Sequence, residues 1–118
     1  MKPEDCRTMI DVRAGVDALD RQLAALLGVR FAYMDAAARI KTTRGAVRDE
    51  VRKAAVIAQA ERAAQAAGVP DGVAGQLWET LVEASIAHEL EEFDARLKGD
   101  GASDGTRTRG LRRDRPAL

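Results

Sequence analysis

Cysteine and histidine occur once each in this chain of 118 residues, as Cys6 and His88. A single thiol excludes an intramolecular disulfide framework and any multi-cysteine metal site, and a single imidazole excludes a histidine-rich metal cluster. Aromatic side chains are 3 % of the residues, too few for the aromatic-rich core of a β-sandwich. No apolar run approaches the ~18–20 residues that a membrane-spanning helix needs. Behind Met1-Lys2-Pro3-Glu4-Asp5 there is no apolar stretch of the secretory kind, so the expectation is a cytoplasmic protein with no membrane partner. Net charge is missing too, because 19 basic and 19 acidic groups cancel. The cancellation hides an uneven spread: residues 99–118 carry five arginines against three aspartates, leaving 14 basic and 16 acidic groups in 1–98. That last stretch also holds four of the ten glycines and no large apolar residue before Leu111. It cannot bury enough surface to offset its ordering entropy and is read as a disordered tail behind one domain, 1–98. Its arginines are diluted by aspartates and unaccompanied by aromatics, so no nucleic-acid partner is expected.

What the chain does have is alanine and helical periodicity. Met9, Val12, Val16, Leu19, Leu23, Leu26, Arg30, Tyr33, Ala37 and Ile40 step by alternating threes and fours, a heptad seam that Thr8 or Asp11 can cap. A helix over 9–41 would be about 50 Å long, whereas a compact domain of this size has a radius of gyration near 13 Å. Such a helix needs a partner to cover it, and a second copy of the chain is the expected one. Thr42-Thr43-Arg44-Gly45 reads as a loop. A second helix then runs from Val47 or Arg48 to about Ala67, with Val51, Ala55 and Ala58 on one side, and Gly68 with Pro70 stops it. Asp71 is expected to cap a third helix to about Leu97, in which Trp78, Val82, Ser85, Glu89 and Phe93 share a face. No stretch alternates as a strand would. The fold class is all-α: a three-helix protomer with a long first helix.

Several charges sit where an apolar residue is due. Arg30 occupies a seam position, where an unpaired charge costs several kcal/mol. Lys41 lies eleven residues on, about 20° from the same azimuth and roughly 16 Å along the axis. Arg52 follows Asp49 by three residues near the start of the second helix, and Ser85 and Glu89 stand at i, i+4 on the third. Packed together, the three helices bring Arg30, Lys41, Arg52, Ser85 and Glu89 to one cavity. The competing reading pairs Arg30 with Glu89 as a register-setting ion pair in a non-catalytic helical dimer, which would tolerate Arg30→Leu. Arg13 is seventeen residues before Arg30, about 25 Å away on the same helix, and cannot reach the same ligand within one chain. In a two-fold dimer with antiparallel long helices, Arg13 of a second copy arrives there instead. Guanidinium forks from two chains suit a small dicarboxylate. His88 is read as an exposed helix residue, Trp78 as core, and Cys6 as a bystander ahead of the first helix.

The stretches Asp11-Val12-Arg13, Val16-Asp17-Ala18-Leu19-Asp20, Leu26-Leu27-Gly28-Val29-Arg30 and Ala36-Ala37-Ala38-Arg39-Ile40-Lys41 resemble the all-helical chorismate mutases. They are most similar to the branch that includes isochorismate-pyruvate lyases, as is Pro3-Glu4-Asp5-Cys6. The resemblance spans about residues 3–97. It implies an intertwined homodimer with two equivalent sites, no metal and no cofactor. It further implies that Arg13 reaches a substrate carboxylate from the partner chain while Arg30 holds the other carboxylate. Lys41 would hydrogen-bond the ether oxygen and a carboxylate, Asp49 the ring hydroxyl, with Arg52 and Ser85 near a carboxylate. Glu89 falls where many members have glutamine, Lys53 where typical mutases have a glutamate, and the Lys41-to-Val47 loop is one residue shorter than in typical bacterial mutases. The implied reaction is the pericyclic rearrangement of chorismate to prephenate; the alternative is elimination of pyruvate from isochorismate to give salicylate. Lys41 and Glu89 would be the catalytic donors, Glu89 only when protonated, since a carboxylate has no hydrogen to give.

Overall fold

Residues 2–99 are described by the computed structural model, and they form three α-helices: α1 (Met9–Ile40), α2 (Glu50–Ala66) and α3 (Val73–Gly99). Short 3-10 turns at Pro3–Asp5 and Arg44–Ala46 complete the structure, with no strand among the described residues. The expectation for 99–118 lies outside them, except that Gly99 closes α3.

Thr8 caps α1, its hydroxyl accepting the Asp11 N–H at 3.2 Å, while the Asp11 carboxylate accepts the Arg7 N–H at 3.0 Å. The first bond satisfies one of the donors that a helix start leaves open, and the second ties the preceding residue to the first turn. The helix is 32 residues long, about 48 Å, and it stretches the molecule to 59 × 32 × 15 Å with a radius of gyration of 17.9 Å. Only its last third is covered: Arg30, Phe31 and Met34–Ala37 are half-buried and Ala38 is buried, whereas almost every side chain from Val12 to Val29 is exposed. The seam is therefore bare within one chain, with Leu19 and Leu23 each 57 % exposed and Leu26 64 %.

The second helix starts later than the periodicity suggests. The 3-10 turn consumes Arg44–Ala46, and Asp49 caps α2 by accepting the Arg52 N–H at 3.0 Å, a bond worth about 1 kcal/mol. Its apolar side was also misplaced: Val51 is 82 % exposed, and Val56 and Ile57 face the core instead. In an alanine-rich helix the azimuth is set by two adjacent β-branched residues, which periodicity resolves poorly. Gly68, at φ 85°, ends α2 with paired bonds, Gly68 N–H to Gln65 O and Val69 N–H to Ala64 O. That left-handed turn is cheap only for glycine. Asp71 does not cap α3. α3 starts at Val73, and its four-residue bonding pattern opens with the Gln76 N–H on Gly72 O at 3.3 Å, so Asp71 stands one position too early.

Helix α3 is the hub. It packs against α1, α2 and the Arg44–Ala46 turn, burying Ala74, Val82, Ser85, Ile86, Glu89 and Phe93. Val47, Val82 and Ile86 form the core, with Val56, Ile57, Trp78 and Leu90 against them. Phe93, 2 % exposed, contributes about 1.5–3 kcal/mol of apolar burial. Ion pairs tie the start of α2 to α3: Arg48 to Glu83 at 2.7 Å, and Lys53 to Glu79 and Glu83 at 2.7 Å each. Among the described residues no helix is long and apolar enough to cross a membrane.

Candidate active site

Where α1 ends, its last turns meet α3 and the capped start of α2 around a cavity of about 360 Å³. Arg30, Met34, Ala37 and Lys41 come from α1 and its C-terminal cap, Asp49, Arg52 and Lys53 from α2 and its cap, and Ser85 and Glu89 from α3. Six of the seven residues singled out from the sequence thus line one hollow: Arg30, Lys41, Asp49, Arg52, Ser85 and Glu89. Arg13 stands apart, exposed on the bare half of α1, about 25 Å from Arg30.

The pairing inside the cavity differs from the ion-pair reading. Arg30 does not meet Glu89; its Nη1 donates to Ser85 Oγ at 2.6 Å, and the Ser85 hydroxyl donates to Leu81 O at 2.7 Å. Among the described residues neither Arg30 nor Arg52 has a carboxylate partner. Burial, and then the nearby Arg52 charge, lower the Arg30 pKa from its ordinary value. An anion placed beside Arg30 would favour its charged form.

Glu89 is turned to Lys41 instead, Oε2 lying 2.6 Å from Nζ, with the glutamate side chain 5 % exposed. The approach is an ion contact without hydrogen-bond alignment, because Oε2 is buried and accepts no directed bond. Lys53 also reaches the lining, but its ammonium is spent on Glu79 and Glu83; the hydrogen bonds it donates to these two carboxylates raise its pKa. Two open guanidiniums, one lysine beside a buried carboxyl, and one neutralised lysine therefore face the hollow. Such a set binds a polyanionic small molecule and offers hydrogens to an oxygen that gains charge.

His88 is not the exposed residue expected. It is half-buried, Nε2 lying 2.6 Å from Asp35 Oδ1 and its ring edge-on to Phe31 at 5.4 Å. A helix position one step from a buried face is easily placed on the wrong side of the boundary. Sequence reasoning also passed over Arg96, which donates to the carbonyls of Arg39 and Lys41; nothing in its spacing advertises a bond to backbone on another helix.

Residues 12–90 match the family described as chorismate mutase type II. A protein of Pseudomonas aeruginosa named isochorismate pyruvate lyase is 29 % identical over 89 residues, which is 75 % of this chain and 88 % of that protein.

Proposed function

The chain belongs to the chorismate mutase type II family, and from that premise we propose that it rearranges chorismate to prephenate in the cavity at the end of α1. The observation that carries this reading is the pair of guanidiniums, Arg30 and Arg52, that share one hollow with no carboxylate to answer them. Its volume, about 360 Å³, lies in the ~300–1,000 Å³ range of small-molecule sites.

Chorismate carries a ring carboxylate, an enolpyruvyl carboxylate and an ether oxygen between them. Arg30, backed by Arg52, holds one carboxylate. Arg13 of a second copy holds the other, and the bare apolar seam of α1 is the surface on which that copy docks in an intertwined homodimer. Two clamps fold the enolpyruvyl arm over the ring, a positioning effect of several kcal/mol. As the carbon–oxygen bond lengthens, negative charge grows on the ether oxygen. Lys41 donates to it, and so does Glu89 in its protonated form, which binds the transition state more tightly than the substrate. No nucleophile, metal or cofactor enters this scheme. Asp49 and Ser85 complete the polar lining, Asp49 toward the ring hydroxyl and Ser85 through Arg30. The expected location is the cytoplasm.

The name of the Pseudomonas relative favours a second reading, in which the same cavity eliminates pyruvate from isochorismate and leaves salicylate. Purified protein incubated separately with chorismate and isochorismate, followed by chromatographic identification of products, decides the matter. Prephenate from chorismate is the expected result; salicylate with pyruvate would transfer the assignment to the lyase reaction. Conversion of neither would leave a helical dimerisation module.

A further inference from the structure

Lys41 is the first residue beyond α1, where the backbone turns extended (φ −65°, ψ 142°). A helix end leaves its last carbonyls without intrahelical donors. Here a side chain from another helix meets two of the carbonyls at that end: Arg96 of α3 donates Nη1 to Arg39 O at 2.9 Å and Nη2 to Lys41 O at 3.1 Å. The guanidinium lies 4.9 Å from the ring centroid of Phe93, which is itself buried at 2 % exposure, so its plane is supported from below. Glu89, Phe93 and Arg96 fall at i, i+4 and i+7 on one face of α3. One face of one helix therefore grips Lys41 at both ends, Glu89 at the ammonium (2.6 Å) and Arg96 at the carbonyl (3.1 Å).

We propose that Arg96 is a positioning residue for Lys41: by fixing where α1 stops, it sets the point from which the lysine reaches into the cavity. The proposal rests on the reading of Lys41 as the donor to the breaking bond. Arg96 touches no substrate. A planar fork is required because two carbonyls must be held at once, and a lysine ammonium serves as a point donor rather than a fork. Donor placement is felt in the transition state more than in the bound substrate, so the effect belongs to turnover.

The test uses Arg96→Lys and Arg96→Gln in the full chain, alone and combined with Lys41→Ala, with steady-state kinetics on chorismate and backbone hydrogen exchange over residues 39–46. Lys and Gln retain part of the stem, and a cooperative thermal transition checks that each variant is folded. Arg96→Gln is expected to lower kcat on the order of ten- to a hundredfold with KM changed by less than about threefold, and Arg96→Lys to fall in between. Exchange at the Lys41 amide, which donates to Ala37 O at 2.9 Å, should speed up. With Lys41 already replaced, Arg96→Gln should cost less than about twofold, since positioned and positioning residues act as a unit. Losses that multiply in the double variant, a loss carried by KM, or unaltered exchange would overturn the proposal. If the wild-type protein turned over neither chorismate nor isochorismate, the reading of Lys41 would fall, whereas the exchange measurement would still decide whether Arg96 holds that backbone.

Discussion

Arg30 is placed against its own stability. Half-buried, hydrogen-bonded only to a neutral hydroxyl and set near Arg52, its charged form is less comfortable in the folded chain than in water. Arg30→Leu should therefore leave the melting temperature unchanged or raised, while kcat/KM falls by roughly a hundredfold or more for loss of a charge-assisted carboxylate clamp. Thermal unfolding and kinetics on the same preparation check this. A lower melting temperature with intact activity would mean that the arginine serves packing alone. Glu89 makes the complementary case. Its carboxyl, 5 % exposed and beside Lys41, is a hydrogen donor only when protonated. Glu89→Gln, whose amide always carries a hydrogen, should keep most of the turnover, and Glu89→Ala, with no donor, should lose it. Equal turnover in the two variants would take Glu89 out of the donor role.

Among the elements, α2 is tied to α3 by charges as well as by its few apolar side chains. Hydrogen bonds from Arg48 and then Lys53 pull the Glu83 carboxyl down from 4.5 to about 2. A carboxyl whose folded pKa is depressed adds stability above its unfolded pKa and loses it as pH falls toward the folded one. The α2–α3 junction should thus weaken between about pH 4.5 and 2, modestly because the Glu83 side chain is 40 % exposed. Melting temperatures at pH 6 and pH 3 should differ less in Glu83→Gln than in wild type; an equal difference would show that the network carries no pH dependence. The same helix shows where sequence reading stops. α1 was legible because ten seam positions repeat without a break, and α3 because Val82, Ser85, Glu89 and Phe93 repeat on one buried face. Of the cavity residues, Arg30, Ser85 and Glu89 were legible as polar groups standing in apolar stripes, whereas Asp49 came from the family resemblance alone. The face of α2 was not, because alanine marks no side, and the cap at Asp49 was hidden behind a 3-10 turn that local pattern does not announce. Nor were the partners legible. Glu89 with Lys41 rather than Arg30, and Arg96 on a carbonyl, depend on how α3 is rotated against α1 and not on any spacing within either helix.

At the scale of the molecule, one chain leaves most of its longest helix uncovered. A radius of gyration of 17.9 Å against the ~13 Å of a compact domain this size reflects a helix that runs past everything it packs on. Its seam, Leu19, Leu23 and Leu26 among others, is exposed along one side of α1. Arg13 projects from the same bare half of α1 and does not line the cavity of its own chain. In the proposed dimer, a two-fold axis that lays a second α1 antiparallel along the first would cover the seam and bring Arg13 to the cavity. That arrangement has a consequence that mixing can read. Arg13→Ala and Arg30→Leu proteins should each be nearly inactive alone. Unfolded together and refolded at equal concentration, half of the dimers would be mixed, and each would hold one site with Arg30 from one chain and Arg13 from the other, both intact. About a quarter of wild-type activity should then return. If Arg13 served its own chain instead, every site in every combination would still lack one arginine, and mixing would restore nothing.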